Sequence, residues 1–340
     1  MGFKRFIALL VACGLAAGAV WLTPRNLVAI GLMDASLTSD VALTRRVAEI
    51  EVAVARVVLF VLAAVTVTGA VFWTGIERSA RYHRLLGYRP VMPAAYEREL
   101  RRLTSPEALI LIAALVGMLG YIRFGAGFIP TDVLWTLNAE DGALETASAI
   151  ILIVAAGLSG VVACNVGRGH PRFIFHAMLA ALFVVMCGEE ISWGQRLLGF
   201  DTPEGIKAVN VQAETNLHNM FGYLFDHVFI LGFLTWAAII PLGYHLFRPV
   251  RQMLLRIGFP VPSIGLAFGM TAVGLMLDPV VYAVMEPMPT LRLAEARETL
   301  SAVAFLLVMR EVARHAAPRR LANEPASSAA WSRSHQHRSL

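Results

Sequence analysis

The feature that most constrains this chain is a series of apolar runs, each close to the ~20 residues that an α-helix needs to cross a bilayer. Hydrophobic residues make up 57% of the chain and charged residues only 16%, which is more apolar surface than a soluble core requires. Because a backbone inside lipid must satisfy its own hydrogen bonds, these runs predict helices. The predicted spans number about eight and cover approximately residues 6–22, 52–73, 107–129, 142–164, 173–193, 220–247, 263–285 and 293–312.

The sequence therefore predicts an all-α fold, that of a polytopic integral membrane protein. Residues 1–315 are expected to form a single transmembrane helical domain. Residues 316–340 are rich in Ala, Ser, Arg and His and show no apolar period. Because such a segment has little apolar surface to bury, we expect it to be a disordered cytoplasmic tail.

Basic residues concentrate in alternate links between the apolar runs. Of the 29 Lys and Arg, 20 lie at the N-terminus, in the links after runs two, four and six, or beyond residue 309. The positive-inside rule assigns these segments to the cytoplasm, so both termini are predicted to be cytoplasmic in a plasma (inner) membrane. The same distribution accounts for the net charge of +5. Nucleic acid is therefore not an expected partner, since no basic stripe with interleaved aromatics occurs.

One polar stretch, residues 187–219, sets down two adjacent carboxylates, Glu189 and Glu190, at the predicted outer end of run five. Charges at the edge of a bilayer are costly and usually functional, and the C-terminal end of a helix disfavours anions. Glu189, Ser192 and Arg196 follow at spacings of three and seven residues, which places a carboxylate and a guanidinium on one predicted helix face. An ion pair between Glu189 and Arg196 is then the structural alternative to a catalytic role.

Acidic residues near other membrane segments fall on the same predicted face, the extracytoplasmic one. Glu145 opens run four, Glu214 precedes run six and Glu298 opens run eight. Further acids with this placement are Glu140, Asp141, Glu286 and Glu295. We expect them to line one acidic pocket. For those in the first turn of a helix, the structural alternative is a favourable interaction with the helix dipole.

An acidic pocket of this kind suits three chemistries. Clustered carboxylates can share a proton, so that one acts as a general acid or base; the catalytic candidates are Glu189, Glu190, Glu145 and Glu298. A mixed set of carboxylates and a histidine can hold a divalent metal ion; the predicted ligands are Glu190, Glu214, His218 and Asp141, of which Glu214 and His218 would reach one ion together if their segment were helical. Carboxylates can also relay protons or cations in a transporter.

Polar side chains within the same stretch are predicted to bind the substrate. These residues are Arg196, Gln195, Trp193, Asn216 and Asn219. A guanidinium such as that of Arg196 suits a phosphate group. Trp193 has a structural alternative, because tryptophan is common at the membrane interface without any further role.

Three functions therefore stay open on the sequence alone, and no GxSxG, HExxH or Walker motif decides between them. The first is an enzyme, a hydrolase or transferase, that acts on a lipid or lipid-linked substrate at the outer face. The second is a proton- or cation-coupled transporter, for which Asp278 beside Pro279 is the acid placed nearest the membrane midplane. The third is a non-catalytic subunit or assembly factor with a membrane-protein partner. Membrane lipids are expected partners in each case, and the oligomeric state is left open.

Overall fold

The computed structural model describes residues 3–30, 37–40, 42–87, 94–139, 142–166, 168, 170–207, 210, 214–217, 224–285 and 292–315. These residues are almost entirely helical, and no strand element occurs among them. The predicted all-α fold class is confirmed. His218, Asn219, Asp141, Glu140 and Glu286 lie outside the described residues, as does the tail 316–340.

Five helical stretches are long and apolar enough to cross a membrane, as a multi-pass membrane protein requires. They are Ala48–Arg78, Pro106–Phe128, Thr131–Val166, Pro171–Glu190 and Asp226–Leu246. Large apolar side chains stay exposed along them, for example Val65 and Phe72, each 63% exposed. An apolar surface of this extent is typical of helices that contact lipid.

The described residues group into two compact units, and each is described by itself. The first unit comprises residues 1–89 and 188–235. Its first segment contains the helices α1 (Phe3–Trp21), α2 (Pro24–Ala29), α3 (Ala42–Arg78) and α4 (Ala80–Leu86). Its second segment contains three shorter helices, numbered in chain order: α10 (Gln195–Leu198), α11 (Glu204–Lys207) and α12 (Leu224–Leu234).

Helices α1 and α3 form an antiparallel hairpin in the first unit. The Arg5 side chain donates to Thr74 Oγ1 at 2.8 Å, while Arg56 Nε donates to the Ala19 carbonyl at 3.0 Å. Small residues seven positions apart are buried along both helices: Ala12 and Ala19 on α1, and Ala63 and Ala70 on α3. Small side chains allow two membrane helices to approach closely, which explains why these two pack along their length.

The second unit comprises residues 90–187 and 236–340. Its described helices are α5 (Ala94–Leu100), α6 (Pro106–Phe128), α7 (Thr131–Asn138), α8 (Ala143–Val166), α9 (Pro171–Glu190, whose last three residues belong to the first unit), α13 (Ile240–Leu246), α14 (Arg248–Ile257), α15 (Ile264–Gly274), α16 (Asp278–Val284) and α17 (Leu293–His315). A π-helical turn, Thr235–Ile239, precedes α13.

The core of the second unit is built by α8 and α17, with α6 and α15 packed beside them. On α8 the buried residues recur at helical spacing, as at Leu152, Ala155, Ser159 and Ala163, so one face packs and the opposite face stays apolar and exposed. Helix α15 approaches its neighbour through a glycine: a Cβ on Gly265 would lie 1.8 Å from a backbone oxygen. Only a residue without a side chain fits at this contact.

The predicted run seven, residues 263–285, is interrupted in the structure. Helix α15 ends at Gly274, and α16 begins at Asp278 with Pro279 in its first turn. Because proline has no backbone N–H and clashes with the preceding turn, it is tolerated at the start of a helix but not inside one. The run therefore forms two short helices rather than one continuous span.

Candidate functional site

Helix α9 ends at Glu190, and the chain then makes an abrupt turn. Three successive residues adopt left-handed backbone conformations: Ser192 (φ 45°), Trp193 (φ 56°) and Gly194 (φ 75°). The prediction that Glu189, Ser192 and Arg196 share one helical face is wrong, because this turn separates the helix end from α10. We call residues 188–217 the polar loop. Left-handed conformations at two neighbouring non-glycine residues are strained, and such strain is concentrated at functional sites.

Glu189 is the half-buried carboxylate that ties the helix end to the rest of the polar loop. Its Oε1 accepts a hydrogen bond from Trp193 Nε1 at 2.7 Å. Its Oε2 accepts a second hydrogen bond from the backbone N–H of Leu217. Two N–H donors, one on each carboxylate oxygen, hold the Glu189 side chain in a fixed orientation.

Glu214 is the buried centre of the polar loop, with 8% of its surface exposed. Its Oε2 accepts hydrogen bonds from Ser192 Oγ and Asn216 Nδ2, each at 2.8 Å. Asn210 extends the network, since its Oδ1 accepts from the Glu214 N–H at 3.2 Å and its Nδ2 donates to Asn216 Oδ1 at 2.8 Å. These bonds engage one of the two Glu214 carboxylate oxygens.

Glu214 and His218 were predicted to reach one metal ion together if their segment were helical. The described part of that segment does not meet this condition. Residues 214–217 are not helical, so the spacing of four residues does not place the two side chains on one helix face. His218 itself lies outside the described residues.

Gln195 bridges the two arms of the polar loop. Its Oε1 accepts from the backbone N–H of Thr215 at 2.8 Å, and its Nε2 donates to Thr202 Oγ1 at 2.8 Å. Thr215 Oγ1 in turn donates to Thr202 Oγ1 at 3.2 Å. The polar atoms of Gln195 are thus engaged in holding the loop, which makes positioning its more direct role. The side chain of Arg196 lies outside the described residues.

Apolar side chains stand exposed around this hydrogen-bonded network. Trp193 is 45% exposed and Leu217 is 53% exposed, both next to the Glu189 carboxylate. Ile191, Leu198 and Phe200 are exposed in the same loop. A polar group framed by exposed apolar side chains matches an amphiphile better than a small soluble molecule.

Glu145 and Glu298, the other two catalytic candidates, lie in the second unit, Glu145 in the first turn of α8 and Glu298 in the second turn of α17. Both are half-buried. The residues next to them are joined directly, because Thr299 Oγ1 donates to the Leu144 carbonyl at 3.2 Å. The structure therefore brings these two helix starts together. The predicted ligand beside them, Asp141, lies outside the described residues, and Glu190, at the end of α9, is half-buried.

The second unit contains a buried cluster of carboxylates that was not predicted from the sequence. Glu99, Glu107 and Glu311 place one carboxylate oxygen each within 4.8 Å of one another. Both Glu107 oxygens are paired with arginines, Oε1 with Arg310 at 3.0 Å and Oε2 with Arg314 at 2.6 Å. The cluster ties the start of α6 to the end of α17.

Glu311 completes the cluster from α17. Its Oε2 accepts from the Ser263 N–H at 2.9 Å, while its buried Oε1 has no hydrogen-bond partner among the described residues. Nearby, burial raises the pKa of the Tyr96 hydroxyl, and the negative charge of Glu311 adds to that effect. Within the described part of the chain, this is the group of acids that could hold a metal ion. The two guanidinium groups on Glu107 disfavour a cation there, so an ion-pair network is the better description.

The signal for this cluster was present in the sequence. Arg310, Glu311 and Arg314 lie within five residues at the end of run eight, and Glu107 follows the helix start Ser105–Pro106. Ser105 Oγ caps that helix by accepting from the Ala108 N–H at 3.1 Å. Each feature alone is ordinary at a helix end, and only the fold reveals that the two ends meet.

The chain matches no protein-family model, no curated protein and no solved structure. The function is therefore argued from the residues of this chain.

Proposed function

We propose that this protein is a membrane-embedded enzyme, a hydrolase or transferase that acts on a lipid or lipid-linked substrate at the polar loop. The observation that carries the proposal is the setting of Glu189. Its carboxylate accepts hydrogen bonds from the Trp193 indole N–H and the Leu217 backbone N–H, and the side chains of both residues are exposed. A fixed carboxylate next to an apolar surface suits a reacting polar head whose chain stays in the lipid.

The roles within the polar loop follow from the contacts. Glu189 acts on the substrate as a general base, a nucleophile or a stabiliser of positive charge. Glu190, one position along at the helix end, is the second acid–base candidate. Glu214 and Gln195 hold the loop, since their side chains bond to Ser192, Asn216, Thr202 and Thr215.

We further propose that eight helices span a plasma membrane, with both termini in the cytoplasm and the polar loop on the extracytoplasmic side. The distribution of Lys and Arg among the links supports this orientation. The eight proposed spans are the five long apolar helices and three shorter or more polar ones, namely α1, the pair α15–α16, and α17. Glu145 and Glu298, at the starts of α8 and α17, would then lie on that same side.

We also propose, from the residue types alone, that Glu190, Glu214, His218 and Asp141 bind a divalent metal ion. Carboxylate oxygens and an imidazole are suitable donors for Mg²⁺, Mn²⁺, Fe²⁺ or Zn²⁺. The ion would orient a phosphate or activate water. Elemental analysis of the purified protein tests this part. A protein that carries no metal and needs none for activity removes it.

The reaction itself is tested in liposomes made from the lipid extract of the source membrane. Wild-type protein and the Glu189→Gln and Glu190→Gln variants are reconstituted, and lipid products are followed by mass spectrometry. We expect a lipid species that wild-type protein converts and Glu189→Gln does not. Conversion by both variants at the wild-type rate would remove the carboxylates from the mechanism.

A transporter is the second candidate, and the interruption of run seven favours it. Helices α15 and α16 leave residues 275–277 between them, with Asp278 opening the second segment. Broken helices commonly form the substrate or ion site of transporters. Proton flux into liposomes containing a trapped pH-sensitive dye decides: a flux that Asp278→Asn abolishes supports a transporter, and no flux under any imposed gradient excludes it.

A further inference from the structure

A groove of about 780 Å³ lies between α6 and α16 in the second unit. Its walls are mostly apolar or small, with Gly120 and Phe124 from α6 and Tyr282 and Val284 from α16. Phe124, Tyr282 and Val284 are well exposed on the surface of the unit. Helix α6 is one of the helices long and apolar enough to cross a membrane. In a bilayer, the exposed wall that α6 gives to the groove would therefore contact lipid.

Among the residues that line the groove, one is charged: Arg123. The described residues place no carboxylate within ion-pair distance of its guanidinium, whose Cζ lies 5.4 Å from the centre of the Phe124 ring. A charge on a membrane helix is costly unless it meets an opposite charge or reaches water. An anionic group beside Arg123 would therefore lower the cost of placing its charge on a membrane helix.

The depth of Arg123 narrows the choice of partner. It lies five residues before Phe128, the last residue of α6, so its Cα is about 7.5 Å from the helix end. A long side chain reaches the headgroup region from that depth. A phosphate at the top of the groove and an acyl chain along its apolar wall would satisfy both the charge and the exposed apolar surface.

We propose that the groove between α6 and α16 binds one membrane lipid with a phosphate head, and that Arg123 pairs with the phosphate. Tyr282 offers a hydroxyl that can donate to the same head. Gly120 leaves room for the chain, because a Cβ there would meet nothing within 4 Å. None of the residues that line the groove belongs to the polar loop, so this proposal does not rest on the proposed reaction.

The test uses the full-length protein purified in an uncharged detergent, with bound lipid counted by native mass spectrometry. The probe is dioctanoyl phosphatidic acid; dioctanoylglycerol carries the same chains without the phosphate, and inorganic phosphate is the head alone. We expect saturable binding of one phosphatidic acid and weaker binding of dioctanoylglycerol. Arg123→Gln should lower the affinity about ten-fold, the loss of one charge-assisted contact, while Arg123→Lys keeps part of it. Arg168→Gln, at an exposed arginine outside the groove, should bind as wild type.

A second pair of variants tests the groove without touching its charge. Gly120→Leu places a side chain in the groove and should lower phosphatidic acid binding. Gly117→Leu, on the same helix and also facing open space, should not. Equal binding of dioctanoylglycerol and phosphatidic acid overturns the proposal, as does full competition by inorganic phosphate. Unchanged binding in both Arg123→Gln and Gly120→Leu also overturns it.

A further experiment distinguishes lipid binding by Arg123 from an ion pair between Arg123 and Glu286 within the protein. Met285 lines the groove, and the next residue in the sequence, Glu286, lies outside the described residues. If Glu286→Gln lowers thermal stability as much as Arg123→Gln does, and neither variant alters lipid binding, Arg123 pairs within the protein. That result would overturn the lipid site while leaving the reaction at the polar loop untouched.

Discussion

The indole ring of Trp193 packs directly against Gly188, so that a Cβ built on Gly188 would lie 2.9 Å from a ring carbon. The same ring donates its N–H to Glu189, the next residue after that glycine. One side chain thus covers the helix end and orients the candidate catalytic carboxylate. The left-handed backbone at Trp193 is what turns the ring back onto α9.

Adding a methyl group at residue 188 should displace the Trp193 ring. Gly188→Ala is expected to lower the free energy of unfolding by about 1–3 kcal/mol, the usual cost of overpacking, and to reduce activity with it. Gly205→Ala is the matched control, because a Cβ there meets nothing within 4 Å. Unfolding titrations with SDS in mixed micelles measure both. A Gly188→Ala protein as stable as wild type would contradict the packing described.

Because the backbone at Ser192 is left-handed, we expect the glycine variant at this position to be more stable than the alanine variant, the reverse of the order inside a helix. Ser192→Gly and Ser192→Ala both lose the hydroxyl that bonds to Glu214, but glycine adopts a φ of 45° without strain. The glycine variant should therefore be the more stable by about 1 kcal/mol. Ser148, inside α8, should show the opposite order, since glycine weakens a helix by about 0.5–1 kcal/mol relative to alanine. The same order at both sites would refute the left-handed turn.

The buried cluster predicts unequal effects for two glutamates close in sequence. Glu107 is fully buried, while its partners Arg310 and Arg314 are 47% and 37% exposed. Glu107→Gln removes the charge that both arginines meet, and we expect a loss of about 1–3 kcal/mol, reduced by the solvent around the arginines. Glu97→Gln breaks a pair exposed on both sides and should cost less than about 1 kcal/mol. Equal losses in thermal unfolding would contradict a buried network.

The proposed orientation predicts which positions a membrane-impermeant maleimide can label. In a variant whose three native cysteines are replaced, Asp201→Cys should react in cells with an intact plasma membrane. Arg168→Cys should react only after the membrane is permeabilised. Both positions are exposed, so a difference reports the side of the membrane. The reverse pattern would invert the topology and move the polar loop to the cytoplasm.

The helical class and the start of the last helix at Leu293 could be predicted from the sequence, because apolar length and polar breaks between runs report them directly. The carboxylates that residues 187–219 place at a predicted membrane edge could also be identified there, while their role stays a prediction. The turn after Glu190 could not be predicted, since no local preference marks Ser192 and Trp193 as left-handed. Ser192 Oγ bonds to Glu214, 22 positions further along the chain, and local sequence does not report such a contact.

The buried cluster shows a second limit of the sequence. Glu107 and Arg314 are 207 positions apart, and each is a plausible helix-end charge on its own. Only the packing of α6 against α17 brings them to 2.6 Å. Helix packing of this kind depends on which apolar faces meet, and in lipid-facing helices the apolar face alone does not reveal the partner.

In the proposed function, Glu189 acts on the substrate, whereas Glu214 holds the loop. The direct measurement compares, in liposomes, the rate of lipid conversion per folded protein for Glu189→Gln, Glu214→Gln and the exposed control Glu204→Gln, with SDS unfolding run on the same samples. We expect Glu189→Gln to lose ~100-fold or more in rate, as removal of a general acid or base does, with a smaller loss of stability than Glu214→Gln shows. Glu204→Gln should match wild type in both. A Glu189→Gln protein that turns over at the wild-type rate, or whose rate falls only in step with its stability, would contradict the account.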